Sequence, residues 1–175
     1  EGVKKHLGLV HVYTGNGKGK TTACLGLALR ASGRDMNVLI IQFAKPDAGY
    51  GEHIAISRIP NIEIHPMGAF HLIGEPTEED RRLADEAFDM AREKIYSGKY
   101  DLVIMDEANV VMKMGMIDPS KMIEMLKGRP ENIEIVMSGR GAPQEIVDYA
   151  DLVTEMRLVK HPYDRGIDAR KGIEF

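Results

Sequence analysis

Cysteine is almost missing from this chain: Cys24 is the only one in 175 residues. A single thiol excludes an intrachain disulfide framework and a cysteine-rich zinc site, and it suits a reducing cytoplasm with Cys24 as a small apolar filler. Positive charge is also short, with 23 Lys and Arg against 27 Asp and Glu, a formal net charge of -4 and a pI near 5.9. Without a global positive field, nucleic acid is not an expected partner. Long apolar runs are lacking too. No stretch approaches the ~20 residues needed to cross a bilayer, and residues 1–7, EGVKKHL, have no apolar centre like that of a signal peptide. The expectation is a cytoplasmic protein with no membrane partner. Nor are there internal repeats, low-complexity tracts or composition breaks that would mark a linker. Hydrophobic residues at 43% and charged residues at 29% are the balance of an ordinary globular protein, and residues 1–175 read as one domain.

What the chain does have is a set of short apolar stretches: LGLVHVY (7–13), NVLIIQF (37–43), DLVIMDE (101–107), IEIVMSG (133–139) and ADLVTEM (150–156). Each has the length and aliphatic content of a central parallel strand. Helical patterns lie between them. Residues 20–32 are apolar nearly all round, and in 77–97 Leu83, Ala84, Ala87, Phe88, Ala91 and Ile95 mark one face. Thr77 with Asp80 resembles a capping box, and Ser97-Gly98 a stop. Shorter helices are expected over 119–128, opening after Asp118, and over 143–150. Strands alternating with helices imply right-handed crossovers and an α/β fold of three layers, a mainly parallel sheet flanked by helices. Residues 44–76 stand out as irregular, with at most a short strand at 62–65, and a loop of that length in a small domain is usually functional.

One segment carries chemistry on its face. A phosphate-binding loop has the form G-x-x-x-x-G-K-[ST], and this chain offers Thr14, Gly15, Asn16, Gly17, Lys18, Gly19, Lys20 and Thr21, followed by Thr22. Threonine takes the first position, so the strict pattern fails there. The context is nevertheless right, because a strand leads in, three glycines let successive N–H groups converge, and a helix starts at the end. Lys20 would reach phosphate oxygens, Thr21 would join the shell of a magnesium or manganese ion, and Lys18 would sit at the rim. A second acidic element, LVIMDEAN, puts Asp106 and Glu107 at the carboxyl end of a strand, where open α/β sheets bind ligands, and one or both should face that metal. A nucleoside triphosphate is the expected ligand, and the expected fold is a P-loop NTPase fold of RecA-like type.

Several activities fit such a site. DEAN followed by MSGR suggests a helicase, but such motors need two domains and a basic, aromatic track for a strand. A small-molecule kinase moving the γ-phosphoryl group fits the length, although no arginine-rich lid is visible and Arg140 alone could touch phosphates. A nucleotide-binding module without chemistry also remains open. The methionines, 11 in all and dense between Met105 and Met125, read as adaptable core filler. His6, His11, His53, His65 and His161 have no zinc-type spacing and read as surface or hydrogen-bonded residues.

Taken together, YTGNGKGKTTACLGLALRASG, QFAKPDAGYGE, VIMDEANVV, MSGRGAP and ADLVTEMRLVKHPYDRGIDARKGIEF resemble the ATP:corrinoid adenosyltransferases of the CobA/BtuR type, from about residue 8 onward. The resemblance implies transfer of the 5′-deoxyadenosyl group of ATP to the Co(I) of a reduced corrinoid, leaving inorganic triphosphate. It carries over Thr21 and Glu107 as magnesium ligands, Lys20 as the phosphate lysine, Asn16 as a loop residue near the nucleotide and Arg140 as the arginine after the SG strand end. It also implies ATP reversed in the loop relative to ordinary P-loop enzymes. Threonine at position 14 is then a family trait. Phe70 matches the first of two aromatic residues that push the lower axial ligand off cobalt, and Leu72 stands where the second is expected, with His71 pointing away from the metal. Leucine keeps apolar volume but loses a rigid flat face. A homodimer and a reduced flavoprotein as electron donor are implied in the same way.

Overall fold

Among the described residues six strands run parallel in one sheet, and its order of β3-β2-β4-β5-β1-β6 settles where a ligand can sit. The computed structural model describes residues 6–69 and 74–175. Its strands are β1 (Val10–Thr14), β2 (Val38–Gln42), β3 (Ile62–Pro66), β4 (Leu102–Asp106), β5 (Glu134–Ser138) and β6 (Leu152–Glu155). The helices are α1 (Lys20–Ser32), α2 (Gly51–Ile56), α3 (Glu78–Tyr96), α4 (Ala108–Lys113), α5 (Pro119–Lys127) and α6 (Gln144–Tyr149). Among the described residues no helix is long and apolar enough to cross a membrane.

The pleat sorts the strand residues into two cores. Leu39 and Ile41, Val103 and Met105, Ile135 and Met137 face α3, α4, α5 and α6. Their neighbours Val38 and Ile40, Leu102 and Ile104, and Val136 face α1 and α2. Because both faces of the sheet are covered, β2 and β4 are buried at every residue, as two-sided burial requires of a central parallel strand. This is the expected three-layer arrangement. Met105, Met112, Met116, Met122, Met125 and Met137 are buried, so the methionine-rich stretch does fill the core.

Three readings change in detail. ADLVTEM is not a central strand: β6 lies at the sheet edge with all four residues exposed, Leu152 and Val153 at 40% and 41%. Its apolar residues pair by backbone with β1 and cover nothing of the core. Helix α1 is apolar in composition but buries only the stripe of Lys20, Cys24, Ala28 and Ala31, while Leu29 points outward at 61% exposure. Residues 44–76 hold helix α2 before β3. That helix opens on a glycine, has no side-chain cap and buries only Ile56, so it leaves no periodic trace.

Helix α3 is the long brace across the sheet, and its start is set as the sequence implies. The Thr77 hydroxyl accepts from Asp80 N at 3.1 Å while Asp80 Oδ2 accepts from Thr77 N at 2.8 Å, which satisfies two otherwise orphaned N–H groups. Thr77→Ala removes the first of these and is expected to cost about 1 kcal/mol. For a chain of this length that is a fall in melting temperature of roughly 2–4 °C, measured by calorimetry; an unchanged value would show that the cap contributes nothing.

Candidate functional site

The order of the sheet brings β1 and β4 to either side of β5, so the segments that leave their carboxyl ends meet at one edge. The chain leaves β1 into the glycine loop and crosses to β2, and the crevice opens at that switch of direction. A cleft of about 790 Å³ lies there, lined by residues 16–22 together with Lys45, Glu52, Glu107, Arg140 and parts of the segment 158–175.

The loop is shaped by a close backbone approach. Gly17 N donates to Met156 O at 2.7 Å, and a Cβ on Gly15 or Gly17 would lie 2.4 or 2.7 Å from that oxygen. Only glycine fits against the strand extension after β6. Gly19, at φ 119, turns the chain into α1, whose first N–H groups have no side-chain cap and face the cleft. Lys20 is buried, at 8% exposure, with Nζ donating to Gly15 O at 2.8 Å and Gly17 O at 2.7 Å. Burial, and then the Arg140 charge, hold its pKa below the ordinary lysine value against the pull of Glu107 and Asp106.

Thr14 has a job that glycine could not do. Its hydroxyl accepts from Ala142 N at 3.1 Å and so ties the start of the loop to the segment that carries Arg140. Thr14 and Gly15 stand behind the cleft, whereas Asn16, Gly17, Lys18, Gly19, Lys20, Thr21 and Thr22 line it. Lys18 is at the rim, 46% exposed, and its Nζ is 2.7 Å from Glu174 Oε1. Arg140 is exposed and lines the opposite side.

Asp106 is the buried centre of the acidic pair. The Thr21 hydroxyl, 3.1 and 3.2 Å from its two carboxylate oxygens, donates to it, and so does the Ser138 hydroxyl at 2.6 Å. Asp106 therefore sits behind Thr21, with the cleft in front of Thr21 and Glu107. Glu107 adopts a left-handed conformation at φ 61, which swings its side chain from the strand end into the cleft and starts α4. Burial and then the Asp106 charge push its carboxyl up to about 7, opposed by Lys20, Lys45 and Arg140. Asn109, fully buried, donates to Gly139 O at 3.1 Å and so bridges α4 to the loop after β5.

Hard oxygen donors, a hydroxyl and one or two carboxylates, suit magnesium or manganese, which keep waters and take phosphate oxygens as remaining ligands. Among the described residues no group of three or more His, Cys, Asp or Glu could hold a metal alone. The fit is therefore to an ion that arrives with a nucleotide. Cys24 is buried, and its thiol is pushed up to about 12 by burial and the Asp106 charge, as befits inert filler. His11, His53 and His65 are hydrogen-bonded to Glu134, Gln42 and Glu63, and His161 Nδ1 accepts from Tyr163 N at 3.1 Å. Phe70, His71 and Leu72 lie outside the described residues. Motif reading puts the corrinoid near the 44–76 loop and gives Lys45, Glu52 and the 158–175 wall no part beside the phosphate loop, because nothing local marks them as neighbours of residue 20. The only signal was their place in QFAKPDAGYGE and the last quoted stretch.

Comparison with known proteins agrees with this geometry. A family model described as ATP:corrinoid adenosyltransferase BtuR/CobO/CobP matches residues 6–175. A corrinoid adenosyltransferase of Pseudomonas aeruginosa is 36% identical over 170 residues, covering 96% of this chain and 84% of that protein. The corrinoid adenosyltransferase CobA of Salmonella typhimurium is 35% identical over 173 residues, covering 96% and 86%. Among solved structures, the assembled ATPase EscN of the enteropathogenic E. coli type III secretion system superposes at a TM-score of 0.55 with 16% identity, over 91% of this chain and 45% of that one. That last likeness speaks to the P-loop ATPase fold alone. With a match that spans nearly every residue, the chain belongs to the ATP:corrinoid adenosyltransferase BtuR/CobO/CobP family and is a transferase that adenosylates corrinoids.

Proposed function

We propose that this enzyme transfers the 5′-deoxyadenosyl group of ATP to the Co(I) of a reduced corrinoid and releases inorganic triphosphate. The observation that carries this reading is a cleft suited to a polyanion, lined by the uncapped start of α1, Lys20 and Arg140. Co(I) brings its own electron pair, so the protein need not supply a nucleophile. That pair forms the Co–C bond at C5′, the C5′–O bond breaks, and its electrons leave on the triphosphate while cobalt goes from Co(I) to Co(III).

The residues then have distinct tasks. Loop N–H groups of Lys18, Gly19, Lys20, Thr21 and Thr22, the rim lysine Lys18 and the buried Lys20 hold the triphosphate and take up charge as it departs. Asn16 lies beside the nucleotide, and Arg140 faces the phosphates from the β5 side. Magnesium or manganese, held by Thr21 and Glu107 with Asp106 orienting Thr21, would add positive charge at the leaving group when bound. ATP lies reversed, with C5′ turned outward. Phe70 and Leu72 press on the lower face of the corrinoid, whose cobalt reaches Co(I) with electrons from a reduced flavoprotein. Assembly as a homodimer, location in the cytoplasm and a single domain over 1–175 belong to the same proposal.

Anaerobic incubation with MgATP, a corrinoid and a strong reductant is expected to yield a cobalt–carbon bond, visible in the absorption spectrum, and one triphosphate per turnover. ADP in its place would make the enzyme a phosphotransferase, and unchanged ATP would deny it chemistry. Lys20→Ala should lower kcat by about 100-fold or more, beyond its effect on ATP affinity, because charge builds on the phosphates in the transition state.

Glu107 links the site to pH. In the folded protein burial, and then the Asp106 charge, raise this carboxyl to about 7, whereas a free glutamate ionises near 4.5. Stabilisation by the neutral form is complete below the lower value and is lost as pH rises through the upper one. Glu107→Gln, neutral throughout, should melt higher than the unsubstituted protein at pH 8 by roughly 3 °C or more, with the gap closing towards pH 5. Equal melting at both pH values would refute the buried-charge account.

A further inference from the structure

Three strand ends place a cation around Glu107. Lys20 comes from the loop after β1 and Arg140 from the loop after β5; the third is Lys45, which follows β2 and lines the same cleft. Its ammonium is bonded to the Glu52 carboxylate and lies 4.3 Å from the centre of the Tyr50 ring, in cation–π contact. Lys45 and Glu52 are 21% and 13% exposed, so the pair is largely withdrawn from water yet open to the cleft.

The backbone beneath Lys45 is held firmly. Gly68 N donates to Lys45 O at 3.0 Å, and a Cβ at Gly68 would lie 2.3 Å from Lys45 N. The strand end and residues 67–68 thus clamp the main chain, while the four-carbon stem and three donors of the lysine remain free to change partner. A part-buried lysine needs an anion, and Glu52 supplies one. Triphosphate, with several charges, is the stronger competitor for it.

We propose that Lys45 is a catalytic residue of the adenosyl transfer, its ammonium leaving Glu52 for a phosphate oxygen of bound ATP and staying there as the C5′–O bond breaks. This inference rests on the transfer reading above. The Co(I) pair still makes the new bond and the C5′–O pair still departs on oxygen; Lys45 moves no proton and only meets the charge that the leaving triphosphate gains. Glu52 and the Tyr50 face keep the cation in place between turnovers.

The competing role for the pair is a clamp between α2 and the loop after β2, and two substitutions separate the roles. Binding of inorganic triphosphate with Mg2+ is measured by calorimetry for Lys45→Met, Lys45→Arg and Glu52→Gln, alongside melting temperature and kcat. Lys45→Met should weaken triphosphate binding by about 10-fold and lower kcat by more, Lys45→Arg should restore most of both, and Glu52→Gln should bind triphosphate as tightly or more tightly. Triphosphate affinity and kcat in Lys45→Met equal to those of the unsubstituted protein would overturn the proposal. So would Glu52→Gln impaired to the same degree as Lys45→Met, which is the mark of a clamp. If Lys45→Met does not fold, Lys45→Arg and Glu52→Gln carry the same comparison. Because triphosphate binding needs no cobalt, failure of Lys45 is read separately from an unsubstituted enzyme that forms no cobalt–carbon bond.

Discussion

A carboxylate with almost no water around it, Asp106 at 1% exposure, is the constraint on which the site depends. Burying that charge is costly unless donors surround it, and the two hydroxyls that do so arrive from different elements, Thr21 from α1 and Ser138 from β5. Satisfying one group therefore locks the glycine loop, the acidic strand and the arginine-bearing loop into one arrangement. Glu107 inherits its properties from this. Its own burial, and then its neighbour's charge, raise its pKa, and its left-handed backbone is the local strain that turns it away from the strand and into the cleft.

Charge in the cleft is balanced within the protein itself. Lys20 rests on the carbonyls of Gly15 and Gly17, Lys18 on Glu174, and Lys45 on Glu52. Each cation has a partner within the protein, carbonyl or carboxylate, with which a polyphosphate can compete. This arrangement suits a reaction in which the protein's work is to receive charge on a leaving group, since preorganised donors act without rearranging when that charge appears.

Much of this was legible from residue order. The glycine spacing, the strand before it and the helix after it identify the phosphate loop, because all three lie within some twenty consecutive residues. Thr77 and Asp80 announce the start of α3 for the same reason. Residues 108–113 and 51–56 form helices that a periodicity cannot reveal, being six residues long and set by a strained Glu107 in one instance and by an uncapped glycine start in the other. The edge position of β6 was equally hidden, since an aliphatic run looks alike whether it is covered on two faces or none.

The sequence by itself determined the chemistry on offer: which residues can hold phosphate, which can hold a hard metal ion, and the alternation of strand and helix that makes a parallel sheet. Those properties depend on side-chain type and short spacing. Strand order, the meeting of Lys45 and Glu52 with Lys20, and the seating of Thr14 against Ala142 were decided only by the tertiary structure. They join residues as far apart as 128 positions, and such pairings arise from packing the layers, which no local pattern encodes.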